Sequence, residues 1–87
     1  MIYVSRVSAE FWELYNALPE DVQRQADRVY ILFSSNPSHP SLFLKKAGPY
    51  WSVRVSRDYR VLGYRQGNEM FWFWIGPHDE YERILSS

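Results

Sequence analysis

The stretch Gly48-Pro49-Tyr50-Trp51-Ser52-Val53-Arg54-Val55-Ser56-Arg57-Asp58-Tyr59-Arg60-Val61-Leu62-Gly63-Tyr64 reads as two strands around a turn. Trp51, Val53 and Val55 alternate with Tyr50, Ser52 and Arg54, the period of a strand with one face buried. This strand is expected from Tyr50 to Ser56. Arg57-Asp58 turns the chain, and Tyr59 to Gln66 returns as its partner. Upstream, Leu42 to Lys46 alternates in the same way, with Ala47-Gly48-Pro49 as the turn. Downstream, Gly67-Asn68 reverses the chain into Glu69 to Gly76, apolar on both faces and so an interior strand. Trp72, Trp74, Phe71 and Phe73 alternate along it and are expected in the core rather than as a base-stacking platform. The C-terminal half is thus an antiparallel β-meander.

The N-terminal half carries a different period. Ile2 to Val7 alternates as a short strand, with Ile2 and Val4 on one face and Tyr3 and Ser5 on the other. Ser8 suits a helix cap, and Phe11, Leu14, Tyr15 and Leu18 fall at helical spacing over Ala9 to Leu18. Pro19, Glu20 and Asp21 open a second helix, since proline fits the first turn and acids there complement the dipole. Val22, Ala26, Val29, Tyr30 and Phe33 mark its core stripe, while Gln23, Arg24, Asp27 and Arg28 face water. It stops at Ser34-Ser35-Asn36-Pro37, with a loop through Pro40. Gly76-Pro77 ends the last strand, and Tyr81, Ile84 and Leu85 stripe a short closing helix over Asp79 to Leu85. The expected fold is α+β: N-terminal strand, two-helix hairpin, β-meander and C-terminal helix, the helices covering one face of the sheet.

Composition bounds what such a fold can do. With 87 residues and no Cys, one core built by packing alone is expected, and residues 1–87 are expected to form a single domain. Met1 to Val7 has no basic segment leading into an apolar one, and the apolar run Met70 to Ile75 is too short to span a bilayer. The expectation is a cytoplasmic protein without membrane contact. A formal net charge of zero argues against a protein that coats long nucleic acid through phosphate contacts alone. Lys45, Lys46, Arg54, Arg57, Arg60 and Arg65 nevertheless crowd the middle third with only Asp58 among them, so a local basic patch survives the neutral total. His39 and His78 are far apart, with no Cys or acidic cluster at ligand spacing, so neither metal nor cofactor is expected.

The meander and the turn after it carry the residues suited to chemistry. Arg54 faces away from Trp51, Val53 and Val55, Arg60 begins the neighbouring strand, and hairpin geometry brings His78, Asp79 and Tyr81 toward the Arg60 end. Arginine matches phosphate oxygens with a planar charged fork, and histidine moves protons near neutrality. If the 2′-hydroxyl of RNA attacks its own phosphate, one group removes a proton and another protonates the leaving 5′-oxygen. Tyr81 could donate a proton, stack on a base, or pin the last helix to the body.

The 48–64 stretch resembles the RelE/ParE family of toxins, whose pattern runs Gly, aromatic, Ser, apolar, Arg, then Tyr-Arg-apolar-apolar and a Tyr. Trp74-Ile75-Gly76-Pro77-His78-Asp79-Glu80-Tyr81 is similar to the family's ending. The resemblance implies the toxin half of a toxin–antitoxin pair, of the branch that cuts mRNA on the ribosome. It gives catalytic roles to Arg54, Arg60, His78 and Tyr81, and RNA-binding roles to Lys45, Lys46 and Arg57. Two departures stand out. Ser52 replaces a Lys found in some members, and Ser41, Leu42 or Phe43 lies where others carry a general-base Glu. The implied partners are a cognate antitoxin, mRNA and the ribosome. The alternatives within the same fold are a gyrase-directed toxin, which would lack a catalytic His, and an inactive antitoxin-binding module.

Overall fold

The computed structural model describes residues 3–86; Ile2, expected in the first strand, lies outside them. Strand β1 spans Val4–Val7. Ser8 then caps helix α1, Ala9–Asn16, its hydroxyl accepting from the Phe11 amide at 3.1 Å. Pro19 precedes helix α2, Glu20–Ser35, whose first turn carries Glu20 and Asp21. Val22 and Phe33 on α2 are buried as the periodicity expects, but Tyr30 is 53% exposed. Gln23, expected to face water, is half-buried and donates from Nε2 to the Tyr15 carbonyl at 2.9 Å, tying α2 to α1.

The chain from Pro40 departs from expectation. Pro40–Leu42 forms a 3-10 turn, Phe43 takes a left-handed backbone with φ 49° and ψ 42°, and strand β2 begins only at Lys45 and ends at Ala47. Leu42 and Leu44 alternate as strand residues would, yet the pair straddles the end of that turn. Strands β3, Tyr50–Arg54, β4, Tyr59–Gln66, and β5, Glu69–Pro77, follow. Helix α3 spans His78–Ser86. The meander β2-β3-β4-β5 is antiparallel throughout, while β1 lies parallel to the free side of β5, giving the order β1-β5-β4-β3-β2.

A register shift interrupts β4 and β5: Leu62 pairs with Trp74 and Gly63 with Trp72, leaving Phe73 as the extra residue of a bulge. Gly63 permits the close approach, because a Cβ there would lie 2.5 Å from the Trp72 ring. The inner face of the sheet carries Val53, Val55, Val61, Met70, Trp72 and Ile75 against Phe11 and Phe33. Phe33 meets the Trp72 ring edge-on at 5.2 Å.

The helices do not share one face. Ser52 alternates with the inward Val53, and the Tyr81 hydroxyl reaches Ser52 Oγ at 3.3 Å, so α3 crosses the outer face. Leu62 is fully buried there and Ser52 is 1% exposed. Phe71 and Phe73, expected in the core, are half-buried on the outer face instead. They cluster with Tyr64 and Tyr50: Tyr64 and Phe71 stack at 4.9 Å, and Tyr50 meets Phe73 at 5.1 Å. Phe73 points outward by ordinary alternation after the inward Trp72, and the extra residue of the bulge is what lets Ile75 return to the inner face.

Candidate active site

Arg54 and Arg60 are direct cross-strand partners at the end of β3 and the start of β4. Like charges so placed repel and destabilise a sheet. Backbone carbonyls of the intervening turn hold them in place. The Ser56 carbonyl accepts from Arg60 Nη1 at 2.7 Å and from Arg54 Nε at 3.4 Å. Arg60 Nη1 also reaches the carbonyls of Tyr59 at 3.0 Å and Arg57 at 3.2 Å. Among the described residues neither guanidinium has an ion-pair partner; the ion pairs lie elsewhere, at Arg6–Glu69, Arg24–Glu20 and His78–Glu82. Burial draws the Arg60 pKa below its ordinary value and the charge of Arg54 lowers it further, against a weaker upward pull from Tyr81, Asp58 and Glu82. Strain of this electrostatic kind is what an anion entering the site would relieve.

A cavity of about 100 Å³ opens beside the pair, lined by Phe43, Lys45, Ser52, Arg54 and Arg60. Lys45 stands opposite Ser52 in the β2–β3 ladder and faces the cavity. Phe43 lies across the guanidinium of Arg54, with 5.0 Å between Cζ and the ring centroid. The cavity therefore combines three cationic side chains with one exposed ring. That composition suits an anion carrying a flat group.

His78 opens α3 directly after the strand that pairs with Arg60. Tyr59 stands opposite Pro77 and Arg60 opposite Gly76, and the His78 amide donates to the Asp58 carbonyl at 2.8 Å. Its imidazole Nε2 lies 3.2 Å from Glu82 Oε1, one helical turn on. Glu82 also exerts a small upward pull on the Arg60 pKa, the weakest of those acting on it. That contact engages Nε2 and leaves Nδ1 outside it.

Other candidates fall outside the cavity. Tyr81 is 4% exposed, with its hydroxyl turned onto the buried Ser52. Of its three sequence-level roles, only pinning the helix is compatible with that burial. Lys46 points to the opposite face, its ammonium 5.6 Å from the Trp51 ring centroid, because adjacent strand residues alternate. Arg57 is exposed on the turn beside the pair. Phe43, which the family resemblance marked only as one of three positions lacking the general-base Glu, lines the cavity without any periodicity that placed it there. Glu82 had a signal, its position four residues after His78 on a helix, which places the two side chains on one face.

A family model described as ParE-like toxin domain matches residues 20–83. No curated protein matches the sequence. Among solved structures, the toxin–antitoxin complex RelBE2 from Mycobacterium tuberculosis aligns with TM-score 0.67 at 15% identity, covering 90% of this chain and 100% of that one. The archaeal RelE–RelB complex from Pyrococcus horikoshii gives 0.70 at 15%, covering 88% and 96%. YafQ from E. coli strain BL21(DE3) gives 0.68 at 11%, covering 91% and 97%. At such identities these structures speak to the fold, and they share this one. The match across residues 20–83, on this strand order and helix arrangement, makes the chain a member of the RelE/ParE toxin family.

Proposed function

We propose that this toxin is an endoribonuclease that cuts mRNA on the ribosome, so stopping translation, and that a cognate antitoxin restrains it. One observation carries the reading: two arginines directly opposite one another, held by backbone carbonyls and without a carboxylate partner among the described residues, line a cavity, and the strand paired with Arg60 runs on into His78. A binding surface for protein has no need to store like-charge repulsion at one point. A site that stabilises a phosphorane does, because the negative charge grows on the non-bridging oxygens as the transition state forms.

The 2′-oxygen forms a bond to phosphorus while the bond to the 5′-oxygen breaks, giving a cyclic phosphate and a free 5′-hydroxyl. Arg54 and Arg60 stabilise the phosphorane through their remaining N–H donors, and Lys45 holds the neighbouring phosphate as a point charge. His78, oriented by Glu82, removes the 2′-hydroxyl proton, and water protonates the leaving 5′-oxygen. The displacement needs charge stabilisation and proton transfer, both within reach of these side chains. Tyr81 keeps α3 on the sheet and so keeps His78 beside Arg60. Arg57 contributes to the rim, while Lys46 lies on the other face and has no part in the cavity. The net charge of zero suits a substrate already held by the ribosome rather than captured from solution. The antitoxin inhibits most simply by placing an acidic side chain in the arginine pair.

Primer extension on translated mRNA tests the reading. Discrete new 5′ ends are expected with the wild type, and a 2′-deoxy nucleotide at the scissile position should abolish them. Intact mRNA together with an SOS response would instead identify gyrase as the target and remove the nuclease.

A further inference from the structure

The outer face holds one large apolar side chain that packing does not explain. Phe43 is 56% exposed and takes no part in the core, although its neighbour Leu42 is fully buried and Leu44 packs against the core. Its backbone is left-handed, and it is the one described non-glycine residue with positive φ. Closing a 3-10 turn in that conformation is a task glycine or asparagine performs without the steric cost a bulky side chain incurs. The position thus combines an unfavourable conformation with an unfavourable exposure. Such combinations gather where a ligand is bound.

The placement of the ring says which ligand group it meets. Leu42 and Leu44 anchor either side of Phe43, and the left-handed turn swings its ring over Arg54 at the mouth of the cavity. A phosphate held by Arg54 and Arg60 carries its nucleoside within reach of that ring. Tyr81, the aromatic residue that the sequence offered for stacking, is buried against Ser52 and unavailable.

We propose that Phe43 is the platform on which a base of the bound RNA stacks, making it a specificity-determining residue of the cavity. This rests on the ribonuclease reading above. Stacking on an aromatic side chain strengthens binding through the π-face of the base, so its loss acts on substrate affinity. Misplacement of Arg54 would act on the chemical step instead.

The test compares Phe43→Asn, Phe43→Leu and Phe43→Trp with the wild type, using primer extension in a reconstituted translation reaction alongside thermal melts. Asparagine suits the left-handed backbone, so Phe43→Asn should melt no lower than the wild type. Its cleavage should fall about tenfold, within the range expected for loss of one base–aromatic stack, with the change in KM and not in kcat. Phe43→Leu keeps an apolar cover over Arg54 without a π-face and should share the defect, while Phe43→Trp should restore cleavage. Wild-type cleavage with an unchanged rate in Phe43→Asn would overturn this proposal and leave the nuclease standing. A defect in Phe43→Asn that Phe43→Trp does not repair, or that falls on kcat, would also overturn it. Absence of cleavage by the wild type would remove both readings together.

Discussion

The two faces of the sheet differ in both size and chemistry of the space they leave open. Between the α1–α2 hairpin and the inner face lies a cavity of about 390 Å³, lined by Phe11, Trp12, Val29, Phe33, Val53 and Trp72 among others. Its one carboxylate, Asp27, is engaged by the Tyr15 hydroxyl at 2.7 Å. The cavity on the outer face is about a quarter as large and holds three cationic side chains. Size alone points to the inner cavity, since binding sites are commonly the largest apolar clefts. The inner cavity is lined by no cationic side chain and its one carboxylate is already held by Tyr15, so chemistry points to the smaller one. On the ribonuclease reading proposed above, the sheet divides its work, with the inner face supplying stability and the outer face supplying reactivity.

Substitutions on the inner face should therefore unfold the protein before they disable it. Trp72 fills the space left by Gly63 and meets Phe33 edge-on. Removing its ring in Trp72→Ala should cost about 3–5 kcal/mol. For a chain of this size that lowers the melting temperature by at least about 12 °C. A melt within a few degrees of the wild type would show that the inner face does not hold the fold together.

The outer face should respond in the opposite sense. Arg60→Ala and His78→Ala should each lower cleavage by about 10²-fold or more, because one removes charge stabilisation and the other proton transfer. Circular dichroism should be unchanged. Arg60→Ala should also melt no lower than the wild type, since it relieves the repulsion with Arg54. Full cleavage in both variants would dissolve the division of labour between the faces. Glu82→Gln should give a smaller loss than His78→Ala, because it loosens the imidazole without removing it; a loss equal to that of His78→Ala would make Glu82 a direct participant.

The inner face was largely legible in the sequence and the outer face only in part, for a physical reason. Alternation and helical spacing report that a residue is buried, and so Val53, Val55, Val22 and Phe33 could be placed. They do not report against what. The Tyr81, Ile84 and Leu85 stripe said that α3 packs on something, but nothing local distinguishes one side of a sheet from the other. The same limit hid the parallel seat of β1, which depends on long-range pairing with β5. Leu42 and Leu44 mimic a strand because a 3-10 turn followed by one left-handed residue also buries alternate positions. The arginine pair was readable, since hairpin register follows from the turn, whereas the burial of Tyr81 followed from the unseen path of α3.

Tyr81 sharpens the comparison most finely, because it belongs to the reactive face by position and to the stabilising role by burial. Its hydroxyl donates to that of Ser52 at 3.3 Å, and both side chains are buried. Tyr81→Phe keeps the ring and removes the oxygen, leaving Ser52 buried with one partner fewer, at a cost of about 1 kcal/mol. On the structural account cleavage by the folded fraction should be unchanged. On the catalytic account it should fall as His78→Ala does, because a proton donor would be gone. The double variant Ser52→Ala with Tyr81→Phe separates the two further. Removing both polar groups should recover much of the lost stability if packing is their only business, since no unsatisfied group then remains in the buried layer between α3 and the sheet.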